Sequence, residues 1–416
     1  MIDADLEGEL ERRAAGAWEL YRKTAETREL DVSAAARGEI RRREDGWAAR
    51  WWDGGLRFAS GSDPGRLASA MALAARLPAS EEAPPPFPRR DVRRESSSGA
   101  VDPAPELFAP LAQLVSVKSR GEAVLSSLTV RRGRAVEEIV NAAGLSVRME
   151  SSRIDGVARA LGRRGSRACE RRCVFRWDAE PDLSGLAGRL ADGATLPLAA
   201  RGLSFPRGAW LLDPAVAAAM LAAFAPLFAM ENLPRWVKRG ELASRRVTIA
   251  DDASADAPCD GEGTTTRRIL VVEAGAMATR LHDLRSAARA SAHPTGHGVR
   301  PSYRTPPRPG PRRLFFETAG GVAPPELLAG VGKGVFARAL TAPITMDLEA
   351  DRYSVEFTGV VILGGRASEA VAGARVSGRI SEFLLRIAGV ATDRQFFPMP
   401  YPVGAPTLLV ERASFE

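Results

Sequence analysis

Trp210-Leu-Leu-Asp-Pro-Ala-Val-Ala-Ala-Ala-Met-Leu-Ala-Ala-Phe-Ala-Pro-Leu-Phe228 is the stretch whose reading decides the fold. It opens on Leu-Asp-Pro and then runs apolar. Taken alone, it predicts a core helix over Asp213–Phe228, since a helix apolar on every side has to be buried. The longest candidate for a membrane span, Ala215–Met230, is about 16 residues and contains Pro226. That is too short to cross a bilayer, so no membrane span is expected.

Downstream of this helix come short polar motifs set between strand-like segments. Ile249-Ala250-Asp251-Asp252 is followed by Cys259-Asp260-Gly261-Glu262-Gly263-Thr264-Thr265-Thr266-Arg267-Arg268. Then come Val272-Glu273-Ala274-Gly275-Ala276-Met277, Ala287-Ala288-Arg289 and Thr295-Gly296-His297-Gly298-Val299-Arg300. Ser354 to Ala370 reads as a strand pair turning at Gly364-Gly365, and Ala405-Pro406-Thr407-Leu408-Leu409-Val410 as a closing strand. In order and spacing these segments resemble the TldD/PmbA family over roughly residues 205–412. The family patterns are D-D followed by D-x-E-G-x-x-x-R, I-E-x-G-x-L, T-G-N-x-x-R and P-T-L-x-V.

The opening helix resembles the one that carries H-E-x-x-x-H in the TldD branch of that family. The corresponding positions here are Ala222, Ala223 and Leu227. None can bind zinc, which needs three protein ligands in a catalytic site, and Ala223 cannot act as a general base. Asp393 to Val403 lacks the late Cys of the TldD branch. The family Asn of T-G-N is His297, and Pro306-Pro307-Arg308-Pro309-Gly310-Pro311-Arg312 lacks the Asn of P-x-P-R-x-x-N.

The resemblance therefore points to the TldE side, a subunit without its own metal site. It implies no cofactor in this chain, zinc in a TldD-like partner subunit, and a peptide substrate cut in a chamber enclosed by the pair. It implies substrate-channel roles for Asp260, Glu262, Thr295, Gly296, His297 and Arg300. Two other readings stay open: a pair acting in maturation of a peptide or other natural product, and a catalytically dead homodimeric binding or scaffold protein.

Read as residues, Asp260-Gly261-Glu262-Gly263 predicts a tight turn ahead of a strand over Arg268–Glu273. The acidic run from Asp251 to Glu262 lacks the ligand spacing of a calcium loop. His293 and His297 are spaced like metal ligands, but Pro294 and Gly296 place them on a loop, with no third ligand evident. The Thr295–Gly298 loop either presents backbone N–H groups to an extended peptide or is a plain glycine turn. Cys169 and Cys173 have no second Cys or His pair nearby in sequence to complete a zinc site.

At 416 residues, with 45% hydrophobic and 26% charged, the chain has room for two cores. Three cysteines without a framework fit a reducing compartment. The acidic N-terminus lacks a signal-peptide plan, so the cytoplasm is the expected location. The net charge of +7 is spread over scattered Arg clusters and only 6% of residues are aromatic, which argues against a nucleic-acid groove.

The periodicity of Leu6, Leu10, Ala14, Trp18 and Tyr21 predicts a helix over 5–26. Strands are expected at Glu29–Val32, Gly38–Arg43 and Trp47–Trp52, with a turn at Glu44-Asp45-Gly46, and at Gly54–Ser60. Ser62-Asp63-Pro64 opens a helix to about Leu77. Residues 79–104, rich in Pro and Ser, read as a flexible segment, followed by at most a short helix over Pro105–Leu114. Meander strands over 120–160, turning at Asn141–Gly144, precede a helix at Leu183–Leu190. The fold expected is α+β, with an antiparallel sheet and flanking helices over 1–200 and a β-rich part over 201–416.

Overall fold

The structure is a computed structural model that describes residues 4–14, 16–80, 83–89, 92–93, 107–177, 182–237, 241–255, 257–399 and 401–416. It is α+β, with a curled antiparallel N-terminal sheet and two strand-rich C-terminal sheets. Among the described residues no helix is long and apolar enough to cross a membrane.

The N-terminal sheet is built from unusually long strands. Its order is Leu56–Gly61, Arg37–Trp52, Trp18–Ser33, Ala123–Asn141 and Ser146–Arg164, with Arg167–Trp177 paired to the last. The two central strands of 19 residues each reach about 60 Å. The sheet is buried at both ends, around Trp18, Leu20 and Trp51 at one and around Leu125, Leu128 and Ala158 at the other. Residues 37–44 are all exposed. Cross-strand ion pairs lace the stretch between the two cores, among them Arg28 to Glu39 at 3.0 Å and Arg134 to Glu150 at 2.7 Å.

Two expectations fail here. The helix expected over 5–26 is a helix only over Ala4–Arg13. From Trp18 the chain is a strand, where Trp18 and Leu20 enter one core and Tyr21 another. A spacing of three to four residues hid a period-two pattern. The turn expected at Glu44–Gly46 is the middle of a continuous strand, and the hairpin closes at residues 34–36. Gly46 is there for space, since a Cβ would stand 2.1 Å from the Tyr303 ring. The separate meander strands merge into two long ones, and the helix at Leu183 continues to Ala199.

Other readings hold. Asp63 caps Pro64–Ala74 by accepting from the Arg66 N–H at 2.8 Å. Asn141 closes its turn by accepting from the Ala143 and Leu145 N–H groups. The helix expected in the 105–114 region is Phe108–Lys118. The Pro- and Ser-rich segment at 79–104 lies largely outside the described residues.

In the C-terminal half, a seven-stranded sheet centres on the parallel pair Arg207–Leu212 and Lys333–Leu340. A six-stranded sheet contains Arg268–Glu273, Ile249–Asp252, Leu314–Phe316 and Pro402–Ala405. Gly364 and Gly365 form the turn between Arg352–Leu363 and Arg366–Gly378. The apolar helix Pro214–Phe224 packs on strands of both sheets. Asp213 starts it by accepting from the Ala215 N–H at 3.1 Å, with Pro214 in the first turn. At Pro226, which has no N–H for an α-helical bond, the chain tightens to a 3-10 turn over Ala225–Ala229.

Trp210 is fully buried, beside Phe357 and Phe383. Trp210→Ala is expected to cost about 3–5 kcal/mol in chemical denaturation. A loss below about 1 kcal/mol would place the core elsewhere.

Candidate functional site

A cleft of about 1170 Å³ opens between the two halves. One wall is the N-terminal sheet, through residues 149–154, Arg176 and Trp177. The other comprises Val299 to Pro301 and Arg308 to Arg313. The end of the apolar helix closes it with Ala222, Pro226, Ala229 and Met230. Ala222 thus faces the cleft, Ala223 is half-buried, and Leu227 is fully buried in the core. These three side chains carry only carbon and do not fit a zinc ion, which requires three donors. Among the described residues, no group of three or more His, Cys, Asp or Glu is placed to hold a metal.

Of the six polar candidates, Arg300 lines the cleft. Asp260, Glu262, Thr295, Gly296 and His297 are buried beneath the wall. Asp260 folds the turn about itself, accepting from the N–H groups of Glu262 and Thr264 at 2.9 Å each and Gly298 at 2.7 Å. Gly263 has φ +79°, and a Cβ there would meet Leu145 of the other half at 2.2 Å. His297 sets Nδ1 2.9 Å from the Thr295 carbonyl and Nε2 3.1 Å from Asp251. Asp251 also accepts from the Arg312 and Arg313 N–H groups at 3.0 and 3.2 Å. The loop histidine therefore supports the segment that carries the cleft arginines. His282 sets Nδ1 3.2 Å from the Ser286 hydroxyl.

Two residues the sequence reading passed over complete the site. Arg50 is buried, pairing with Glu19 at 2.7 Å and Glu262 at 2.6 Å. Glu19 also pairs with Arg300, whose Nε donates to the Gly261 carbonyl at 2.6 Å. The Arg300 guanidinium lies 4.6 Å from the centre of the Tyr21 ring. The signal was present: Arg50 is the lone charge in Trp47-Ala-Ala-Arg-Trp-Trp52. A strand buried on both faces has nowhere else to put it.

Two guanidiniums here pair with two buried carboxylates, those of Glu19 and Glu262, with the buried Asp260 carboxyl close to the latter. Burial is the strongest influence on Glu262 and raises its pKa. Arg50 opposes, and Asp260, Asp283 and Glu19 add to the rise. The carboxyl is pushed up to about 7 from an ordinary 4.5. Burial also raises Asp260, against its three backbone N–H donors. Between pH 4.5 and about 7 the folded chain keeps a proton on Glu262 that the unfolded chain releases. Stability therefore falls as pH rises through this window and levels off above it. The expected drop is on the order of 1–3 kcal/mol, read from urea denaturation at pH 5 and pH 7.5. Glu262→Gln should flatten it, and an unchanged slope in that variant would assign the effect elsewhere.

Comparison with known proteins gives a consistent picture. The profile described as "PmbA/TldA metallopeptidase C-terminal domain" matches residues 209–416. An uncharacterised protein of Methanocaldococcus jannaschii is 32% identical over 103 residues, 22% of this chain and 24% of the relative. The match spans about a quarter of that relative's length. The fold is shared with TldE from Thermococcus kodakarensis, at TM-score 0.86, 16% identity and 99% coverage of both chains. It is shared as well with candidate modulators of DNA gyrase from Thermotoga maritima and Bacteroides thetaiotaomicron. Their TM-scores are 0.79 and 0.80 and their identities 18% and 16%, over 96% and 100% of both chains. With the matched profile spanning half its length, this chain belongs to the PmbA/TldD metallopeptidase family.

Proposed function

We propose that this chain is the metal-free, TldE-like subunit of a two-subunit peptidase, paired with a zinc-bearing TldD-like subunit. The observation that carries this reading is the helix end at the cleft. It presents Ala222 and Pro226 there, with Leu227 turned into the core, along the helix that resembles the metal-bearing one of the TldD branch. Hydrolysis would belong to the partner, whose zinc supplies an activated water. This chain would provide chamber wall and substrate channel, in the cytoplasm. Its parts up to residue 200 and from 201 onward would act as two domains holding the cleft between them.

The side chains take two roles in this reading. Arg300 borders the channel, with its guanidinium held by Glu19 and the Gly261 carbonyl. Asp260, Glu262, Thr295, Gly296 and His297 hold the wall from behind. Asp260 accepts from the Gly298 N–H, and Glu262 from the Leu284 N–H at 2.7 Å. The Thr295 hydroxyl donates to the His282 carbonyl at 3.1 Å, and Gly296 turns the chain toward His297. Activity should therefore respond to them through the shape of the wall.

The test is zinc content and peptide cleavage, measured on the chain alone and after co-expression with a TldD-like protein. The chain alone should be inert and lack stoichiometric zinc, and the co-purified pair should hold about one zinc and cut peptides. Stoichiometric metal or cleavage in the isolated chain would overturn the reading and redirect the search to His293, His297 and the 251–262 segment. A stable homodimer that rejects TldD-like partners would favour a binding or scaffold role.

A further inference from the structure

The cleft is strongly one-sided in charge. Among the described residues, seven Lys and Arg side chains line it against two carboxylates, Glu137 and Glu150. Both carboxylates are already neutralised within the protein, and of the cations Lys23 is spent on Glu137 and Arg153 on Asp155 at 3.3 Å. Glu137 pairs with Lys23 at 3.3 Å, and Glu150 with Arg134 at 2.7 Å and Arg148 at 3.1 Å. Arg300 is engaged by Glu19 and the Gly261 carbonyl. Arg308 and Arg312, in contrast, have no carboxylate within ion-pair distance among the described residues, although the buried Asp260 feels the charge of Arg312.

These two arginines flank Pro309-Gly310-Pro311. The prolines have no N–H, and the Gly310 N–H is given to the His297 carbonyl at 3.1 Å. An anionic group reaching this segment therefore finds its donors in the two guanidiniums. A carboxylate matches that fork geometry, and the surrounding cations raise its local concentration. Stacking faces, which single-stranded nucleic acid needs, are scarce. Among the described residues only two aromatics line the cleft: Trp177, already stacked on Phe175 with ring centres 4.1 Å apart, and the half-buried Tyr401. Much of the remaining apolar lining is proline and methionine.

We propose that the cleft selects acidic peptides, with Arg308 and Arg312 receiving the carboxylates of Asp or Glu side chains on an extended segment. This rests on the reading of the cleft as a peptide channel and gives that channel a substrate class.

The experiment is fluorescence anisotropy on the full chain without a partner. It uses labelled peptides of one sequence carrying Glu, Gln or Lys at alternate positions, at low and at physiological ionic strength. The Glu peptide should bind about tenfold tighter than the Gln peptide, and the preference should shrink with salt. The double substitution Arg308→Gln, Arg312→Gln should abolish the preference. Equal binding of Glu and Gln peptides, or a preference that survives the double substitution, would overturn the proposal. So would an oligonucleotide of equal charge that binds more tightly than the Glu peptide. Should the double variant not fold, the Glu and Gln comparison on the native chain decides. A chain that assembles with a zinc-bearing partner but shows no Glu preference refutes the selectivity alone. A chain that prefers Glu peptides but assembles with no such partner refutes the subunit reading alone.

Discussion

Four buried side chains, Glu19, Arg50, Glu262 and Arg300, fix how the two halves of this chain meet. Removing such groups from water costs several kcal/mol each, and only close pairing returns that energy. Two come from the first hairpin and two from the segment that runs through Gly261 and the 295–300 loop. A shifted docking of the halves would leave at least one charge bare in a dry interior. The cleft is a by-product of the same geometry. Gly261 and Arg300 line it, and the strand that carries Glu19 pairs with the one that carries Glu137.

The apolar helix is the complementary constraint. Its end meets the cleft, yet its other faces are locked between two sheets by Val216, Leu221, Phe224 and Phe228. Ala222, Ala223 and Leu227 suit their places, because small apolar side chains fit a helix that is largely buried. The helix end closes the cleft with apolar side chains, and the polarity of the cleft lies on its walls.

The C-terminal half was legible because its motifs are local. Asp260-Gly261-Glu262-Gly263 reads as a turn from its own residues, and a turn it is. What remained hidden was its burial, since that depends on Arg50, more than two hundred positions away. In the N-terminal half the antiparallel sheet was legible, but its turns and strand bounds were misread for a related reason. Gly46 looks like turn punctuation, but the ring of Tyr303 is what requires it. The long strands were cut into pieces because residues 37–44 have no core to impose alternation. The cleft arginines are indistinguishable in sequence from the many others, and only the fold shows which of them lack partners.

Glu19 and Arg300 lie 281 residues apart in the chain. At ribosomal speeds, roughly 15–55 s separate their appearance. For that interval the hairpin that contains Glu19 and Arg50 has only its internal pair, and the surface meant for Glu262 and Arg300 stays wet. The N-terminal sheet is thus built early but sealed late. Its final dehydration is a post-synthetic event in which a nearly complete chain closes over its own first strands.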